Sequence, residues 1–100
     1  MATERPLIRI LLADSHSLFR IGLRRLLERE PDVQVVDEAA DGPQAVRCAA
    51  TGKADILLID EEMLHTSGEL FSNYGAGQEG SLRIFMIGSI DGQERIDAAF

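Results

Sequence analysis

Two apolar runs in this chain each end in an acid. Ile56-Leu57-Leu58-Ile59 stops at Asp60, with Glu61 and Glu62 behind it, and Ile8-Arg9-Ile10-Leu11-Leu12-Ala13 stops at Asp14. Each closes on four consecutive apolar residues, Ile10–Ala13 and Ile56–Ile59, which suits strands covered on both faces, as in a parallel sheet. Two such strands that both finish in a carboxylate imply a rim where the acids meet.

The intervening segments supply the rest of an α/β alternation. From about His16 to Arg29, Phe19, Leu23, Leu26 and Leu27 recur at the spacing of one buried helical stripe, with Arg20, Arg24, Arg25 and Glu28 on the other side. Asp14 or Ser15 can cap this helix, and Pro31 stops it. Val33-Gln34-Val35-Val36 reads as a short edge strand. Asp41-Gly42-Pro43 opens a second helix with proline at its first position, Ala45, Val46, Cys48 and Ala49 form its small-residue face, and Gly52 ends it. The third strand covers Asp55 to Ile59. Between Gly68 and Ser81 the pattern weakens. Leu70, Phe71 and Tyr74 allow one or two helical turns, then Gly75, Gly77 and Gly80 predict a loop. A fourth strand spans Arg83 to Ile87, and a last helix is expected from Asp91 to Phe100.

This order predicts a doubly wound parallel sheet with helices on both faces. Ligands of such sheets bind beyond the carboxyl ends of the strands, where Asp14 and Asp60 both fall. Each acid could merely cap the helix that follows it. Two at matching strand ends, one followed by Glu61-Glu62, point instead to a cation or phosphoryl site.

Composition narrows the alternatives. One hundred residues suit one domain, and a chain this size buries roughly 60–65% of its unfolded surface. With 45% apolar and 27% charged residues it reads as globular, and no apolar run approaches the ~20 residues of a membrane span. A net charge of −7 argues against broad DNA binding by this segment. The N-terminus lacks a secretory layout and Cys48 has no partner for a disulfide, so a cytoplasmic location is expected.

Leu11-Leu12-Ala13-Asp14-Ser15-His16-Ser17-Leu18-Phe19-Arg20 resembles the opening of receiver domains in two-component response regulators, in particular the NarL-like subgroup with LuxR-type output. Gly22-Leu23 and Leu26-Leu27 continue the likeness. Glu38-Ala39-Ala40-Asp41-Gly42 with Ala45 resembles the family's second-strand exit, and Ile59-Asp60, Met63 and Gly68 resemble its phosphoacceptor segment. The resemblance implies a flavodoxin-like receiver. Asp60 would take a phosphoryl group from a sensor histidine kinase, with Mg²⁺ held by Asp14, Asp60 and the backbone carbonyl of Glu62. It implies a signalling module and not an enzyme.

The departures from that family matter as much. Ser15 stands where a second acid is usual, which weakens or abolishes Mg²⁺ binding. Gly88 replaces a Thr or Ser, and Leu64 replaces a proline after Met63. The fifth strand and last helix, with the family's lysine, have no counterpart. The expectation is therefore an atypical receiver over residues 1–100, truncated, its DNA-binding output domain absent. The chain is either a fragment of a longer regulator or completes itself by association. The bare edge of the fourth strand, or the first-helix face, is expected to recruit a second copy into a dimer or larger species.

The remaining features take plain readings. Gly75-Ala76-Gly77-Gln78-Glu79-Gly80 spells a dinucleotide fingerprint in the wrong context, since it precedes a strand. His16 is expected at the surface or as a cap, His65 in a loop, and Cys48 in the core; Ser67 lacks the context of a nucleophile. Two other functions stay open. One is a phosphorylation-independent interaction module. The other is a small flavodoxin-like enzyme or ligand binder, which would need an apolar pocket near Asp60.

Overall fold

A computed structural model describes residues 7–71, 82–90 and 93–99. The chain runs β1 (Ile8–Ala13), α1 (Ser17–Leu27), β2 (Val33–Ala39), α2 (Gly42–Ala50), β3 (Ile56–Asp60), α3 (Glu61–Ser67), a 3₁₀ turn (Gly68–Phe71), β4 (Arg83–Ile90) and β5 (Gln93–Ala99). The sheet order is β2-β1-β3-β4-β5. The first four strands are parallel, and β5 is antiparallel to β4. This is the flavodoxin-like arrangement, with β1 and β3 adjacent at its centre. A fifth parallel strand and a last helix are absent among the described residues.

Strand alternation sorts the core into two layers. Leu11, Ala13, Leu57, Ile59 and Ile84 face α2 and α3, where they pack with Ala39, Ala45, Ala49, Met63 and Phe71. Ile10, Leu12 and Val35 face α1 and pack with Leu23 and Leu27. The α1 layer is thin: of the stripe expected to be buried only Leu23 and Leu27 pack on the sheet, Phe19 and Leu26 are exposed, and no residue of α1 is fully buried. Leu18 is 82% exposed, Leu26 59% and Ile21 48%.

β2 carries an irregularity that sets its faces. Ile10 pairs with Val35 but Leu11 pairs with Asp37, so Val36 is an extra residue. Val35 therefore faces α1, whereas Asp37 faces α2. There Asp37 lies beside Cys48, whose thiol is pushed up by burial and further by this carboxylate. Cys48 packs against the core as expected.

The second helix starts where the sequence placed it. Asp41 accepts the Gln44 amide N–H at 2.8 Å, and the Gln44 side chain accepts the Ala40 N–H at 2.8 Å, a reciprocal cap. Gly52 closes the helix at φ 75°, a conformation that glycine adopts freely. Gly42 is needed for a different reason, because the Ser67 side chain fills the space that a Cβ there would take.

Three expectations are corrected. Helix α3, which was not expected, begins at Glu61 directly after β3, and the turn expected at Leu70 and Phe71 is the 3₁₀ turn that follows it. Leu64 permits this, since a proline at 64 would lack the N–H that the first turn of a helix starting at Glu61 uses. Second, Gln93–Ala99 is a strand and not a helix. So short a helix is marginal alone, while the bare side of β4 offers ladder hydrogen bonds. Ile90 pairs with Gln93 across the dipeptide Asp91-Gly92, a sequence that favours two-residue hairpins. Third, β5 covers the side of β4 that was expected to be open. The Gly75–Gly80 loop expectation, and the part of the weak helical segment that includes Tyr74, lie outside the described residues.

Candidate functional site

The carboxyl ends of β1 and β3 lie side by side, with Ala13 paired to Ile59. The next residue on each strand is an acid, so Asp14 and Asp60 share one rim. Asp14 is 7% exposed. Its backbone N–H extends the ladder to Ala39 at 3.0 Å. Its Oδ1 accepts the His16 backbone N–H at 2.7 Å and lies 3.0 Å from the His16 ring Nδ1. This local turn swings His16 back over the rim.

Arg20 braces the same corner. Its guanidinium donates to the Asp14 backbone carbonyl and, at 2.8 Å, to Glu38 Oε1. Arg24 also bonds Glu38. Burial alone would raise the Glu38 carboxyl, but hydrogen bonds from Arg20 and Arg24 win and hold it below its ordinary range. Arg20 thus ties the β1 exit to β2 from the first helix.

Asp60 is both strand end and helix cap. Its Oδ2 accepts the Met63 N–H at 3.2 Å. Burial pushes its carboxyl above the usual range; the Met63 N–H opposes this, and the nearby Asp14 charge adds to the rise. One oxygen is held by the helix, which leaves the other to face the rim.

Asp14, His16 and Asp60 each bring one ligand atom within 4.8 Å of the others. The two acids expected to meet do so. His16, read from sequence as a surface or capping residue, stands at the helix cap but turns its ring to Asp14 and completes the group. The spacing Asp14-x-His16 was the available signal, since an acid two residues before a histidine can form this turn. Glu62 is placed differently. Its backbone carbonyl lies within α3 and accepts the Thr66 hydroxyl at 3.2 Å.

Two clefts flank Asp60. One of about 240 Å³ runs past Ser15, Asp41, Glu62 and Thr66. The other, about 470 Å³, is lined by Asp60, Glu61, Glu62, His65, Thr66 and Gly88. Their acid-rich linings are unlike the apolar pocket that a small-molecule binder would need. Gly88 lies under Glu61: a Cβ at 88 would overlap the Glu61 carboxylate. His65 sits in α3 and not in a loop.

A wound parallel sheet with two acids at its central strand ends is the receiver type of fold. Comparison with known proteins agrees. The model of the response regulator receiver domain matches residues 10–100, and the chain belongs to that family. It is 44% identical over 54 residues to the transcriptional regulatory protein LiaR of Bacillus subtilis, covering 54% of this chain and 26% of LiaR. It is 35% identical over 81 residues to the response regulator UvrY of Escherichia coli, covering 81% of this chain and 37% of UvrY. Among solved structures, the signal receiver domain of NarL from Mycobacterium tuberculosis superposes with a TM-score of 0.73 at 28% identity, covering 87% of this chain and 70% of that one. The chain therefore spans about a quarter to just over a third of the length of these curated relatives. Among the described residues no helix is long and apolar enough to cross a membrane.

Proposed function

We propose that this chain is the signal-receiver module of a cytoplasmic transcriptional response regulator, with Asp60 as phosphoacceptor in a degenerate site. The observation that carries the reading is the convergence of Asp14 and Asp60 at adjacent central strand ends. A sensor histidine kinase is the natural donor. An Asp60 carboxylate oxygen would form a bond to phosphorus as the bond from phosphorus to the kinase imidazole breaks. The Met63 N–H orients the nucleophile, and Arg20 fixes the backbone beneath Asp14. The module would act as a regulatory receiver, without turning over a substrate. Binding to DNA would belong to an output domain outside this segment.

A divalent cation would offset charge on the phosphoryl oxygens. For Mg²⁺ the donor set is incomplete. Asp14 and Asp60 offer hard oxygens, but Ser15 brings a neutral hydroxyl where a second acid would stand. The Glu62 carbonyl is committed to α3. Mg²⁺ would therefore be held weakly. Gly88 likewise offers no hydroxyl to the phosphoryl group.

Incubation with Mg²⁺ and a small acyl phosphate, followed by intact mass measurement, tests the reading. A single phosphoryl adduct that disappears in Asp60→Asn supports it. No adduct under conditions that label a competent receiver would sink it.

One observation favours a second reading, a phosphorylation-independent module that self-associates. The first helix exposes Leu18, Ile21 and Leu26 together. Apolar surface of that kind marks interfaces, and it would support a homodimer or higher oligomer whatever the state of Asp60.

A further inference from the structure

We infer that the rim binds a borderline divalent cation of the Zn²⁺ or Co²⁺ class, with the His16 ring nitrogen taking the place of the missing acid beside Asp14 and Asp60. The inference rests on the receiver reading of the rim but concerns which ion these residues select and which side chain selects it.

The donor set makes the case. Three residues from two strand ends present two carboxylates and one imidazole within 4.8 Å. Mg²⁺ takes hard oxygens and keeps much of its water, whereas imidazole favours Zn²⁺, Co²⁺ and Ni²⁺. Where a carboxylate would have favoured Mg²⁺, the chain has Ser15, and the next residue, His16, sets its exposed ring against Asp14. The group is thus not an acidic cluster alone, because its third donor is nitrogen.

The Asp14–His16 spacing fits a shared ion. Two ligand atoms each ~2.1 Å from one cation lie ~3.0 Å apart across an octahedral edge and ~3.4 Å across a tetrahedral one. Asp14 Oδ1 and His16 Nδ1 are 3.0 Å apart. Asp14 is held in that pose by its own turn, with Oδ1 fixed by the His16 amide at 2.7 Å. The His16 side chain is 69% exposed, so a proton moved to Nε2 stays in water while Nδ1 offers its lone pair. The cation would also neutralise two like charges that the fold forces together, one of them nearly buried.

Calorimetric titration of the metal-free chain with Zn²⁺ and separately with Mg²⁺ tests this, with Co²⁺ visible absorption reporting nitrogen ligation. The expected result is one Zn²⁺ site at least tenfold tighter than Mg²⁺. His16→Ala should weaken Zn²⁺ tenfold or more and leave Mg²⁺ within twofold, and Asp60→Asn should weaken both. His65→Ala should change nothing. Unchanged Zn²⁺ affinity in His16→Ala, or loss of the site in His65→Ala, overturns the inference. Thermal melts of the metal-free variants confirm that each remains folded. A phosphoryl adduct in Mg²⁺ with His16 irrelevant to Zn²⁺ refutes the cation assignment alone. A His16-dependent Zn²⁺ site without any adduct refutes the phosphoacceptor reading alone.

Discussion

The Glu61 carboxylate occupies the space that a side chain at position 88 would need. The two residues are therefore coupled across the gap between α3 and β4. Gly88→Thr should displace the Glu61 side chain and destabilise the chain by about 1–2 kcal/mol, the scale of local overpacking. Glu61→Ala in the same background should recover most of that loss. Urea melts of both single variants and the double variant measure the coupling, and strictly additive effects would contradict the packing described.

Leu64 is what allows a helix to start at Asp60. Leu64→Pro should remove the first-turn hydrogen bond and cost about 3 kcal/mol if the turn persists. If the turn unwinds instead, the Asp60 cap on the Met63 N–H is lost with it. Amide exchange at Met63 distinguishes these from a third outcome, an unchanged helix, which would exclude the assigned start.

The Glu38 pair with Arg20 and Arg24 predicts a pH signature. The folded carboxyl is held below its ordinary range, so the pairing stabilises the fold fully once pH is above that range. The contribution is lost as pH falls through the lowered folded pKa. Glu38→Gln should cost about 1 kcal/mol at pH 7, discounted because Arg24 is 43% exposed, and progressively less under acid conditions. A gap that stays constant from pH 7 down through the acid range would show that charge is not the cause.

The exposed face of α1 predicts concentration-dependent association. Leu18→Lys combined with Leu26→Lys should reduce the apparent mass in light scattering and leave the melting temperature nearly unchanged, since neither side chain is buried. A wild-type chain that stays monomeric at high concentration would remove the basis for an interface there.

Much of the architecture was legible because its cues are local. Continuous apolar runs gave β1, β3 and β4, Asp41-Gly42-Pro43 gave α2, and the paired strand ends gave Asp14 and Asp60. The misses come from competition between levels. The start of α3 depended on one residue, Leu64, that lacks a proline's veto. The last segment has weak helical character, and the neighbouring strand outbid it through pairing that Asp91-Gly92 invites. His16 was underrated because its role depends on a turn through Asp14, which helical periodicity does not report.

The extra residue Val36 carries one more consequence. Pairing it in register with Leu11 would shift every later position of β2 by one, so that Glu38 instead of Ala39 lay opposite Ala13, on the α2 face. The acid would be driven into the larger apolar layer, and Arg20 and Arg24 would lose their shared anchor. A single residue of slack in an edge strand thus keeps ion pairs on one side of the sheet and oil on the other.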